Sequence, residues 1–377
     1  MILDVVFFIF FYYISVYFTF MQTNIINKKL YVYLFIQFTI IYIYILFMGM
    51  RPLEFVSDTS RYIDWFNNVK ILPSIEMAMN VYTDYSGMAR DSFFSAFLYC
   101  LSYIFDSSDF VFWLFPLMII ISLIFIGYKH FESKSDILLL TILLLFNRMY
   151  LDYSINQFRS SFVFLLIILL LHSLYIKKNY LSFVGIPFLF FLHRKTVVLA
   201  AVIYFLSLLN FRFLFILLLC AIFIYINPDL IIVLFNIVIT YLLDYKLFIL
   251  SSHNILENFD ENLFSINFYI QTLLFVIMPT IIILLRLKRI DDINKLHVLY
   301  LKIILISLAL FFSLFNFIPE IYRVYQLIIP LLFILLVLYK NKVIQIYFLF
   351  VILINSVTFL KNIIEQDISI VNFLVGV

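Results

Sequence analysis

Long apolar runs alternate with short charged breaks along almost the whole chain. Runs of this length read as membrane helices, since about 20 apolar residues span a bilayer core. The pattern predicts about twelve spans, with a range of about 10–14, near 2–20, 30–49, 110–127, 137–151, 160–176, 181–192, 196–209, 213–226, 264–285, 298–317, 324–339 and 343–360. The short pair 181–192 and 196–209 also reads as one bent or re-entrant unit, which needs protein or water around its broken backbone.

Two stretches depart from this rhythm. Residues 50–109 form a long outer segment, and within it DSFFSAFLYCLSYIF, at 91–105, is apolar but unsuited to crossing. A span there would reverse every later basic loop, so the expectation is an amphipathic helix lying on the bilayer with its Phe, Leu and Tyr residues in lipid. The second stretch, DYKLFILSSHNILENFDENL at 244–263, is a mixed polar outer loop.

Composition agrees with the pattern. Of 377 residues, 66% are hydrophobic and 12% charged, with mean hydropathy +1.12, which excludes a soluble globular enzyme. The expected fold class is an all-α polytopic integral membrane protein in which 1–377 form a single membrane domain. The first apolar stretch lacks a cationic start and a small-residue cleavage site, so it is expected to remain as a helix. Cys100 and Cys220 have no metal-ligand spacing and read as isolated packing residues. A formal charge of +3 spread over many loops argues against a nucleic-acid surface, and no partner of that class is expected.

Charge also assigns sides. Thirteen Lys or Arg, from Lys28 and Lys29 to Lys340 and Lys342, fall in alternate breaks with only Glu132, Asp136, Asp291 and Asp292 beside them. The positive-inside trend puts those breaks in the cytoplasm. The opposite side then holds Arg51, Arg61, Lys70, Arg90, Arg148, Arg159, Arg194, Lys195, Lys246, Arg323 and Lys361. Positive charge on that side runs against the trend, and binding of an anion such as a lipid pyrophosphate gives it a reason. Arginine suits that task because its fork makes bidentate hydrogen bonds to phosphoryl oxygens.

Four stretches on that side carry candidate chemistry. In MRPLEFVSDTSRYIDWFN, starting at Met50, Arg51 is a candidate anion or sugar ligand, with Asp58 to orient it. Asp58, Tyr62 and Phe66 recur at helical spacing, and a helix cap with an interfacial aromatic belt accounts for the same pattern. In NRMYLDYSINQFRSSF, at 147–162, Arg159 sits at a helix mouth, where it needs water, lipid phosphate or Asp152 beside it. It is the foremost phosphate-ligand candidate, with a structural ion pair as the alternative. In FFLHRKTVVLA, at 190–200, His193 is a candidate acceptor base beside Arg194 and Lys195, and simple solvation of an interfacial histidine fits equally. In FNFIPEIYRVYQLIIP, at 315–330, Arg323 and Tyr325 lie at another helix mouth, where a Glu320–Arg323 pair is the competing reading.

Taken together, RPLEFVSDTSRYIDWF, INQFRSSFVFLLIILLLHSLYIKKNYLSFVGIPFLFFLHRKTVVL and YRVYQLIIP resemble the EpsG-type branch of Wzy polysaccharide polymerases over roughly 45–335. The resemblance implies polymerisation of undecaprenyl-pyrophosphate-linked oligosaccharide repeat units at the outer face of the bacterial inner membrane, and a GT-C-like membrane architecture is compatible with it. No Asp, Glu and His cluster has metal-ligand spacing and the arginines can supply positive charge, so no metal and no cofactor are expected. The lipid-linked glycans serve as donor and acceptor, and membrane lipid and a chain-length regulator are the further partners. Arg51 and Asp58 match the first family pattern, Gln157 and Arg159 its QxR element, His193 its histidine and Arg323 its late arginine. The expected catalytic set is His193 as the preferred base, Asp58 as the alternate or its orienting partner, and Arg159, with Arg51, Tyr62, Gln157, Arg194, Arg323 and Tyr325 binding substrate. The chain departs from the family in SSF after the QxR element and in Val56-Ser57 where a Gly commonly precedes the Asp. A flippase or transporter for the same lipid-linked glycan and an O-antigen ligase are the rival readings.

Overall fold

The structure, a computed structural model, describes residues 33–37, 39, 57–81, 92–145, 147, 150, 157–178, 184–226, 270, 272–287, 293–314, 323–351 and 354. Regular structure among them is helical throughout. In chain order the helices are α1 (Ser57–Lys70), α2 (Ile75–Met79), α3 (Ser92–Leu101), α4 (Val111–His130), α5 (Lys134–Leu145), α6 (Phe158–Lys177), α7 (Gly185–Leu192), α8 (Arg194–Ser207) and α9 (Phe211–Ile226). A π-helical turn, Leu273–Ile277, leads into α10 (Met278–Leu287), followed by α11 (Lys295–Leu314) and α12 (Tyr325–Leu338). The expected spans at 2–20 and 30–49 fall wholly or largely outside the described residues, as does the loop at 244–263.

Among the described residues, three stretches are long and apolar enough to cross a membrane: Ser108–His130, Phe158–Ile176 and Lys295–Ser313. Shorter apolar helices accompany them, among them Phe211–Phe223, Leu273–Leu287, Tyr325–Leu338 and Lys342–Val351. This is the composition of a helical membrane protein, in which every backbone polar group must be satisfied within its own segment. Phe188, Phe191, Val198, Val202, Phe205 and Phe213 expose large apolar side chains along α7 to α9, as a lipid-facing surface does.

The centre of the bundle is α12. Every residue from Tyr325 to Val337 is buried, so a helix apolar all round is surrounded all round. It packs against α5, α6, α10 and α11. Helices α4 and α5 form a tight hairpin, and a Cβ added at Gly127 would lie 2.8 Å from Cγ2 of Ile137. Glycine is therefore required for that close approach.

The bundle has two polar ends. Beyond the C-terminus of α12, Lys340 pairs with Asp136 in the first turn of α5, at 2.5 Å, so these two helices run antiparallel. At the same end His130 Nδ1–H donates to the Ile126 carbonyl, and its Nε2 accepts from the Tyr300 hydroxyl, both at 2.8 Å. The opposite end holds the starts of α4, α6 and α12. There Phe115 and Phe158 stack with centroids 4.1 Å apart, and Gln326 Nε2 donates to Gln157 Oε1 at 2.9 Å.

Two expectations change. The helix at 92–101 exists, but Phe94, Leu98 and Tyr99 pack into protein rather than lipid, because α1 and α4 present an aromatic surface to receive them. Cys100 and Cys220 are exposed free thiols, not packing residues.

Candidate functional site

Residue Arg159 lies in the first turn of α6, two positions after the cap residue Gln157. A cation there opposes the helix dipole, so it needs compensation from elsewhere. Aromatic faces supply part of it. The guanidinium carbon Cζ lies 4.7 Å from the ring centroid of Trp65, 5.1 Å from Phe94 and 5.5 Å from Tyr62. Each such contact is worth about 0.5–2 kcal/mol, depending on desolvation.

The box is built from α1 and α3. Tyr62 and Trp65, three residues apart on α1, occupy one helical face, and Trp65 Nε1–H donates to Ser95 Oγ on α3 at 3.1 Å. Phe94, beside Ser95, closes the box against both rings, with centroids 5.5 Å from Tyr62 and 5.2 Å from Trp65. All three aromatics are buried, so the arginine rather than a sugar occupies their faces.

A second line of polar groups runs from the residue after Arg159. Ser160 Oγ lies 2.9 Å from Thr196 Oγ1, which lies 2.6 Å from His193 Nδ1. His193 caps α8, and its Nδ1 also accepts the backbone N–H of Thr196 at 3.3 Å. An N–H donor to Nδ1 requires a lone pair there, which assigns the neutral ring's proton to Nε2. In this arrangement the Nδ1 lone pair is engaged at the start of α8. The helix is interrupted at His193, between Leu192 of α7 and Arg194 of α8, and Phe93 packs against Phe188 and Phe191 to tie α7 to α3.

The third line leads to α12. Gln326 is completely buried and reaches Gln157, so the start of the central helix is tied to the start of α6. Tyr325, also 0% exposed, donates its hydroxyl to Thr272 Oγ1 at 3.3 Å and lies against Phe311. Its placement is that of a packing residue. Arg323 is half-buried just before α12, Arg194 half-buried at the start of α8, and Lys195 exposed beside it.

Gln157, Arg159, Tyr62 and His193 thus gather at one end, with Arg194 and Arg323 on the helix starts that frame them. Arg51 lies outside the described residues, and so does the side chain of Asp58, which falls at the start of α1. Sequence reasoning missed Trp65, Phe94, Ser160 and Thr196. Trp65 was legible in part, one helical turn beyond Tyr62, whereas Phe94 reaches the box only through tertiary packing. Among the described residues no group of His, Cys, Asp and Glu could hold a metal ion.

No family model, curated protein or solved structure matches this chain.

Proposed function

We propose that the chain is a membrane glycosyltransferase that polymerises undecaprenyl-pyrophosphate-linked oligosaccharide repeat units, releasing undecaprenyl pyrophosphate. The observation that carries this reading is the boxed guanidinium of Arg159 at the start of α6, beside Gln157 and the Ser160–Thr196–His193 chain. First-turn N–H groups and a guanidinium both suit an anionic ligand, which supports reading this helix start as an anion site. In this reading about twelve spans form a GT-C-like arrangement in the bacterial inner membrane, with the Arg159 end facing the periplasm or cell exterior.

The acceptor hydroxyl oxygen attacks the anomeric carbon of the donor sugar as the bond from that carbon to the pyrophosphate oxygen breaks. Arg159, with Arg194 and Arg323, stabilises the charge gathering on the departing pyrophosphate. Removing one such group costs roughly 3–4 kcal/mol at the transition state, by analogy with a lost oxyanion donor. The hydroxyl proton goes to Asp58, because His193 holds Nδ1 in its helix cap and presents Nε2–H as a donor to phosphoryl or sugar oxygen. Arg51, from the same polar stretch as Asp58, is assigned to the sugar or the second phosphate. The substrate itself supplies the leaving group, so the reading needs no cofactor.

The test is product length on a gel, after the purified protein in bilayers is given the host's undecaprenyl-pyrophosphate repeat units, beside an Arg159→Ala control. A ladder absent from the control supports polymerisation. Single units throughout, with the protein folded, sink it and favour a flippase, and transfer to lipid A-core instead of a repeat unit identifies a ligase.

A further inference from the structure

Asn147 follows α5 at the Arg159 end of the bundle and is 0% exposed. Its Oδ1 accepts the backbone N–H of Tyr150 at 3.0 Å, a local turn that fixes the amide plane. Its Nδ2, a double donor, has no hydrogen-bond partner among the described residues. Turning the amide over does not cure this, because Nδ2 would then face the Tyr150 N–H, donor against donor. A buried donor left this way costs about 1–3 kcal/mol, and an apolar side chain of similar size would avoid that cost.

Arg323 repeats the pattern. Its Nε is buried without a hydrogen-bond partner among the described residues. Since α12 runs antiparallel to α5, the residues that precede α12 lie toward the end of α5 that Asn147 follows. Gln326, three residues on, ties the same corner to Gln157 and so to the start of α6. Two orphan donors, on different elements, thus lie at the end of the bundle that holds the start of α6. Gln326 Oε1 is a buried acceptor at the same end, and the two donors outnumber it, which suits an oxygen-rich ligand.

We propose that Asn147 Nδ2, with Arg323 Nε, binds a non-bridging phosphoryl oxygen of a pyrophosphate group, extending the anion site beyond Arg159. This deepens the function proposed above and rests on it. An ordered water is the ordinary occupant of such a polar niche, and the experiment separates the two.

The chain has two tryptophans, so Trp113→Phe leaves Trp65, 4.7 Å from Arg159, as the fluorescent reporter. The full-length protein in phosphatidylcholine nanodiscs is titrated with inorganic pyrophosphate and, separately, with undecaprenyl pyrophosphate. Asn147→Asp keeps the acceptor for Tyr150 N–H and replaces the donor with an oxygen, so Kd for both probes should rise about tenfold or more. Arg323→Lys keeps the charge without Nε–H and should weaken both probes in the same direction. Equal affinity for the two probes, or tighter binding of the lipid-linked one, supports the proposal and reports whether the polyprenyl tail adds binding. If Asn147→Asp binds both probes like the unmodified protein while Asn147→Ala binds them weakly, Asn147 serves only the turn or a water, and the proposal fails while the Arg159 site stands. If the unmodified protein binds neither probe, or Arg159→Ala binds both as tightly as the unmodified protein, the anion reading fails and this proposal with it.

Discussion

The guanidinium of Arg159 lies over the indole of Trp65, 4.7 Å from Cζ to the ring centroid, and Trp65 is itself held by Ser95. An arginine side chain has four rotatable bonds, and the aromatic box removes much of that freedom before any ligand arrives. Preorganisation of this kind is where electrostatic catalysis gains most, since the group need not reorient as charge develops.

Trp65→Leu should therefore lower the rate of repeat-unit polymerisation by about 5- to 30-fold, the equivalent of about 1–2 kcal/mol of lost cation–π support. Trp65→Phe, which retains a face, should lose less. The readout is initial rate on lipid-linked substrate with folding checked by size-exclusion chromatography. Equal rates for the unmodified protein and Trp65→Leu would show that the box contributes packing alone.

His193 divides its two nitrogens between two jobs, and two substitutions separate them. Asn places an oxygen near Nδ1 and is a preferred helix cap, so His193→Asn should keep α8 intact. Its polymerisation rate should fall, because nothing replaces Nε2–H. His193→Gln extends an amide toward the Nε2 position at the expense of the cap, worth about 1 kcal/mol, so it should be less stable but more active than His193→Asn. Thermal midpoint and rate measured together decide this. The reverse ranking in activity would place the working atom at Nδ1.

Much of this arrangement was legible in the chain. The apolar runs and basic breaks gave the helices at 111–130, 158–177, 295–314 and 325–338 to within a few residues, because membrane helices announce themselves by length and composition. Arg159 was legible because an arginine at a helix mouth has few cheap explanations. Trp65 and Phe94 were not, since an aromatic in a chain with 48 Phe and 27 Tyr carries little information until its neighbour is known. Neither could the state of His193 be read from spacing, because it depends on Thr196 folding back by one helical turn. The packing of 92–101 was misjudged because an apolar helix between charged segments looks the same whether lipid or protein covers it.

Charge bias alone assigns which end faces out, and that assignment is open to direct labelling. Asp109 is exposed just before α4, at the Arg159 end, and Lys342 is exposed beyond α12, at the other. In a background with Cys100→Ser and Cys220→Ser, Asp109→Cys should react with a membrane-impermeant maleimide added to intact spheroplasts. Lys342→Cys should react only after permeabilisation. The opposite result would invert the topology and place Arg159 in the cytoplasm, against the proposed reaction at the outer face.

The end opposite Arg159 provides the contrast that makes these effects specific. His130 donates to Ile126 and accepts from Tyr300, both at 2.8 Å, and His297 lies 2.6 Å from the Tyr339 hydroxyl. These contacts join α4, α11 and the residue after α12 near the Lys340–Asp136 pair. Tyr300→Phe removes one hydroxyl and leaves a buried imidazole nitrogen without its donor, a loss of about 1–3 kcal/mol. The expected result is a lower thermal midpoint in nanodiscs with an unchanged polymerisation rate per folded molecule. A stable Tyr300→Phe protein that had lost activity would mean instead that the two ends are coupled, and that the His130 cluster takes part in the reaction cycle rather than only fastening the helices.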